Sequence, residues 1–147
     1  MRMTLRQVLE QVRTDLAANL NAYIGSTQES GEDWFNELTF HTDAPRIESD
    51  RYYMGIYLSS PDGAVYEGTA QNARVTVALD CILDDERENG DNPALYLSAV
   101  LEYLRRRRYG VSSTATYAET ARVDLDADVN AFSVAIEVTV YDMDLDI

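Results

Sequence analysis

The chain is predicted to be an α+β domain, an antiparallel β-sheet with a long hairpin packed against two α-helices. Two kinds of hydrophobic periodicity say so. Apolar residues recur at three- and four-residue spacing over about 4–24 and 93–108. They recur at alternate positions over about 51–58, 75–83 and 131–141. A length of 147 residues and a hydrophobic content of 46% suit one domain, 1–147, with one core.

The opening helix, about 4–24, carries Leu5, Val8, Leu9, Val12, Leu16, Leu20 and Tyr23 on one face. Arg6, Glu10, Arg13 and Asp15 lie on the other. Thr4 suits the amino-terminal cap and Gly25 the stop. After the polar loop 25–33, the alternation of Trp34, Asn36, Leu38 and Phe40 predicts a short strand, and 41–50 reads as irregular. From Arg51, Tyr52, Met54, Ile56 and Leu58 share one strand face and Tyr53, Gly55 and Tyr57 the other. Ser59-Ser60-Pro61-Asp62-Gly63 is turn chemistry, and Gly68 and Asn72 mark a bend or bulge. Val75, Val77, Leu79, Cys81 and Leu83 then alternate, so 51–83 reads as a long hairpin, one able to project beyond the core.

The charged loop 84–92 leads into Asn92-Pro93, a cap followed by proline at the first helical position. The second helix, about 93–108, buries Leu97, Val100, Leu101 and Leu104 between Tyr96 and Tyr103, and Gly110 follows it. Two strands close the chain as a hairpin over about 111–141, with Asp124, Asp126, Asp128 and Asn130 at the turn. Phe132, Val134, Ile136, Val138 and Val140 form its apolar face. Two helices can cover only one face of such a sheet. The other face holds Tyr, Thr, Ala and Gly rather than mainly charge, a surface suited to a neighbouring subunit.

Charge narrows the function. There are 26 acidic residues against 12 basic ones, a formal net of −14, and every basic residue is arginine. Without lysine there is no Schiff-base or phosphate-loop lysine. One histidine, His41, and one cysteine, Cys81, exclude HExxH, CxxC, zinc-finger ligand sets and an internal disulfide. An acidic surface with arginine as the sole cation resembles the proteins of salt-in halophilic archaea and their viruses. Concentrated salt screens the self-repulsion, with a Debye length of ~3 Å at 1 M. Nonspecific binding of DNA by the whole surface is disfavoured, because phosphate affinity comes from excess Lys and Arg. No apolar run of about 18 residues occurs, so no membrane span is expected. The start lacks the apolar core of a signal peptide, so synthesis in the host cytoplasm is expected.

No constellation selects an enzyme. Asp124-x-Asp126-x-Asp128 opens like a calcium loop, but Val129 stands where glycine is needed and Ala135 where glutamate is needed. Asp142, Asp144 and Asp146 alternate at the chain's end and read as an acidic strand or tail. His41 in a polar loop reads as ordinary surface and Cys81 as core. No pair of carboxylates is singled out for acid–base work. No catalytic residue, metal or cofactor is expected. Arg105, Arg106, Arg107 and Arg108 are the one concentrated positive feature, and ion pairs within or between subunits suit them better than DNA. Asp84, Asp85, Glu86 and Glu88, before the second helix, are the complementary group.

The segments RVTVALDCILDDERENGDNPALYLSAVLEYLRRRRYG and FSVAIEVTVYDMD give a strand, an acidic loop, a helix and a closing strand. This layout resembles the tail-terminator and neck (head–tail joining) proteins of long-tailed viruses over most of residues 4–141. The resemblance implies a virion structural protein that forms a ring, usually of six copies. Such a ring sits on the end of the tail tube, ends tube growth and meets the head–tail connector or neck protein. DNA passes through its channel without specific binding, which a net negative lumen favours. A closed ring joins its subunits head to tail, so each needs two different complementary patches. The arginine run and the acidic loop are the expected pair. The alternative is a small acidic cytosolic ligand-binding or regulatory α+β domain, and a hydrolase using two carboxylates comes third.

Overall fold

The structure, a computed structural model, describes residues 3–46, 50–59, 64–67, 72–83, 92–111 and 115–141. It is an α+β fold, one mixed sheet with two helices. The first helix, α1, runs Leu5–Ser26. It starts in a capping box: Gln7 N–H donates to Thr4 Oγ1 at 3.1 Å and Thr4 N–H to Gln7 Oε1 at 2.9 Å. Thr4→Ala is expected to lower stability by about 1 kcal/mol, read from chemical denaturation in high KCl. The expected apolar stripe is buried, with Ile24 rather than Tyr23 at its end. Gly25 does not stop the helix. Its bare Cα lets the Phe35 ring pack close, and the end comes at Thr27, whose N–H and hydroxyl both donate to Ile24 O.

The sheet contains β1 (Thr39–His41), β2 (Tyr53–Leu58), β3 (Ala64–Glu67), β4 (Asn72–Ile82), β7 (Glu119–Asp126) and β8 (Ala131–Val140). A separate two-stranded ribbon joins β5 (Arg108–Tyr109) to β6 (Thr116–Tyr117). The main order is β1-β2-β4-β8-β7, with β3 also on β4. The sheet is mixed, not purely antiparallel, because β1 runs parallel to β2. The strand expected from Trp34 shrinks to β1. Trp34 and Leu38 are buried, but the backbone between them is held by side chains. Asn36 exchanges two hydrogen bonds with the Tyr96 hydroxyl, and Leu38 exchanges two with the Asn21 amide.

The long hairpin expected over 51–83 is not confirmed. Both β2 and β3 run antiparallel to β4, β2 along Val77–Ile82 and β3 along Asn72–Val75. The strands β2 and β3 therefore run the same way, and the turn expected at 59–63 lies, from residue 60 on, outside the described residues. On its other side β4 pairs with β8 from Ala73 opposite Val140 to Ile82 opposite Ala131. The described part of this segment is thus inside the sheet and does not project from it.

The second helix, α2, runs Asn92–Leu104 and ends four residues before Arg108. Tyr96 and Tyr103 are not flanks but buried members of its stripe, with Leu97, Ala99, Val100 and Leu104, while Leu101 sits at the margin. The helix ends because Arg106 and Arg107 N–H bond back to Tyr103 and Leu104 in a tightened turn, and Arg108 enters β5. The closing hairpin is β7–β8, joined by a 3-10 turn at Ala127–Val129 and by Asn130 in left-handed backbone. It is preceded by the β5–β6 ribbon rather than by one strand starting at 111. Both helices pack on the face carrying Met54, Ile56, Val75, Val77, Leu79, Phe132, Val134, Ile136 and Val138.

Candidate functional site

The arginine run divides by position. Arg105 and Arg106 reach Glu102 at 3.4 and 3.8 Å, with side chains 70% and 79% exposed, so these pairs hold little energy. Arg107 turns inward and pairs with Asp15 on α1, whose side chain is only 11% exposed. Arg108 lies over the Tyr117 ring and donates to Ala115 O at 2.6 Å. The run is therefore one structural ion pair, one strand residue and two exposed charges. Asp84, Asp85, Glu86 and Glu88 lie outside the described residues, as do Asp142, Asp144 and Asp146.

Asp15 is the centre of a network that the polar-face assignment missed. Its carboxylate accepts from the Tyr103 hydroxyl at 3.1 Å, the Tyr109 hydroxyl at 2.7 Å and Arg107 Nε at 3.1 Å, with a further bond from Arg107 Nη2. Burial first, and then the Asp15 charge, push Tyr103 up to about 12; burial and the bond to Asp15 push Tyr109 higher still. Burial alone would lower Arg107, but Asp15 outweighs it and the guanidinium stays charged. Beside this network, Gln11 exchanges two hydrogen bonds with Gly110, whose φ of 114° favours glycine. The cluster ties α1 to the turn after α2, and every oxygen of Asp15 is engaged.

The sheet face away from the helices carries a second cluster. The Tyr57 hydroxyl and Ser133 Oγ both donate to Asp80, Ser133 at 2.5 Å. Tyr57 sits on β2, Asp80 on β4 and Ser133 on β8, three neighbouring strands. Burial and the Asp80 hydrogen bond raise Tyr57 to about 12, so it stays a donor at neutral pH. Beside this cluster an open hollow of about 510 Å³ is bordered by Asp80, Asp124, Asp126, Ser133 and Pro45. With three aspartates over apolar residues such as Ile82 and Ala131, it repels anions. Arg122 bridges Asp124 at 2.8 Å, and Asp126 accepts from Asp128 N–H at 3.1 Å. Among the described residues, no three His, Cys, Asp or Glu side chains converge to hold a metal ion. Burial raises the Cys81 thiol well above its ordinary range, and His41 stacks on Tyr53 with ring centroids 3.8 Å apart.

The rest of this face is sparsely charged, with half-buried Thr76, Ala135 and Thr139 and buried Ala78 around Arg74 and Glu137. It ends at β7, whose eight residues are all exposed. Val123 and Leu125, 40% and 47% exposed, point toward the helix side of that edge and are only partly covered. Among the described residues, no helix is long and apolar enough to cross a membrane. No family model matches the chain and no curated protein matches its sequence.

Proposed function

We propose that this chain is a structural virion subunit of a long-tailed virus of a halophilic archaeon. It forms a ring, six copies around, at the end of the tail tube. There it ends tube growth and meets the head–tail connector or neck protein, and DNA passes through the channel without being gripped.

The observation that carries this reading is the one-sided sheet. Two helices cover one face, and the opposite face, crossed by Asp43 and Ala44 at Gly55, is elsewhere left with half-buried Tyr, Thr, Ala and Ser side chains in the single chain. Such a face gains most from a neighbouring protein. Arg105 and Arg106 add an exposed positive spot on a chain of net charge −14, which suits a head-to-tail contact between copies.

Native mass spectrometry and electron microscopy of protein kept in high KCl test it. Closed rings are expected, and a chain that forms no ring at any concentration, monomer or dimer, overturns the reading. Arg105→Glu with Arg106→Glu is expected to abolish rings while leaving the monomer folded, since each loses only a weak exposed pair with Glu102. Intact rings in that variant remove the arginines from the contact.

A further inference from the structure

We propose that β7 is a pairing edge for a second copy of this chain. Two β7 strands would lie antiparallel about a two-fold axis that is perpendicular to the sheet and passes between the two Val123 residues.

The two edges of the sheet are treated differently. At the β1–β2 edge, side chains from α1 occupy the backbone. Arg13 Nε donates to Ile56 O at 2.8 Å and its Nη2 to Thr42 O at 3.2 Å, while the Asn21 amide holds both polar groups of Leu38. Among the described residues, no side chain of another element bonds the β7 backbone in this way, although α2 packs near the strand. Among the described residues its only strand neighbour is β8. An edge of eight exposed residues, regular from Arg122 to Asp126 and with two part-exposed aliphatic side chains, is a template for another strand.

The residues of β7 choose the occupant. Antiparallel strands that keep their sheet faces aligned can shift only in steps that preserve the alternation of side chains. With the axis at Val123, Arg122 faces Asp124 of the second copy, and this happens twice. Val123 meets Val123, and the bulge between Thr120 and Arg122 limits the regular pairing to the residues around this centre. No like charges are opposed. Moving the axis to Arg122 sets arginine against arginine, and moving it to Asp124 sets aspartate against aspartate, both unfavourable. The alternating charges that would repel an arbitrary strand thus match one register of β7 with itself. Arg122 and Asp124 side chains are 76% and 57% exposed, so both can exchange their present pairing for one across the axis.

The inference stands apart from the ring. A two-fold contact cannot join neighbours in a ring whose subunits all point the same way. It adds a factor of two to whatever the chain otherwise forms, either a dimer from a monomer or a pair of rings from one ring.

Sedimentation and light scattering in high KCl, where the net repulsion between copies is screened, read that factor. The wild-type chain is expected to show an even copy number at micromolar concentration. Arg122→Asp and Asp124→Arg, each alone, oppose like charges across the axis. Each should halve the copy number or weaken association by ~10-fold or more. The double variant Arg122→Asp/Asp124→Arg recreates the complementary pairs and should restore it. Wild type and single variants of equal copy number, or a double variant that stays halved, overturn the proposal. Failure of the ring reading looks different: wild type is then a dimer and each single variant a monomer.

Discussion

Asp15→Ala is expected to destabilise the fold by about 3 kcal/mol, the sum of a stranded buried hydroxyl and a broken, mostly buried ion pair. Tyr109 is 1% exposed, and Asp15 is the acceptor for its hydroxyl; with alanine at position 15 the O–H has neither carboxylate nor ready access to water. Tyr103 loses the same acceptor, while the more exposed Arg107 can be rehydrated in part. Thermal unfolding in high KCl should fall by about 10 °C for a chain of this size. Tyr109→Phe removes donor and demand together and should cost only about 1 kcal/mol. Equal losses for the two variants would show that the network holds nothing beyond ring packing.

The same cluster is expected to make stability fall on the alkaline side. Burial, and after it the Asp15 charge, push Tyr103 in the folded chain up to about 12 from an ordinary 10.0. Below pH 10 both states keep the proton and the contribution is complete. Above it the unfolded chain releases the proton first, so stability is lost progressively between pH 10 and 12. Removing Asp15 leaves burial as the main cause of the shift. The variant should therefore start lower but lose stability less steeply over that range, as followed by denaturant titration at successive pH values.

Where local chemistry and packing agreed, the fold was legible in the residues. The α1 stripe is closed by Thr4 and Gln7, which cap one another without help from the rest of the chain. The alternation of 131–141 emerged as β8, because a strand paired on both sides with one buried face leaves only one register. Tertiary demands overrode the rest. Arg105–Arg108 look like a helix end, but the reach of Arg107 to Asp15 and the pairing of Arg108 with Tyr117 pull the chain out of the helix. Trp34–Leu38 alternate like a strand, yet Tyr96 and Asn21 supply their hydrogen bonds from two different helices. Asp15 lies beside Leu16 at the border of the apolar stripe. That position, together with tyrosines at 103 and 109 in need of acceptors, was the available signal. The Tyr57–Asp80–Ser133 cluster had no local signal, since it depends on the order β2-β4-β8.

Gly55→Ala is expected to cost about 2–3 kcal/mol, a large penalty for one methyl group. Gly55 sits on β2 on the face away from the helices, where a side chain would ordinarily point to open space. Here the backbone of Asp43 and Ala44 crosses directly over it. A methyl group would overlap the Asp43 carbonyl oxygen and come within 3.0 Å of the carbonyl carbon. Backbone cannot rotate away as a side chain would, so the crossing segment must lift. Two tethers resist: Arg13 holds Thr42 O from α1, and the Tyr53 hydroxyl donates to Asp43 O at 3.2 Å. Lifting the segment also moves Ala44 and Pro45 off the rim of the acidic hollow. The change should therefore appear twice, as a lower unfolding midpoint and as faster amide exchange in β1, whose pairing to β2 includes His41 opposite Gly55. A Gly55→Ala protein with wild-type stability and unchanged exchange in β1 would show that 42–46 is not packed on the sheet, and that the face away from the helices is bare along its whole width.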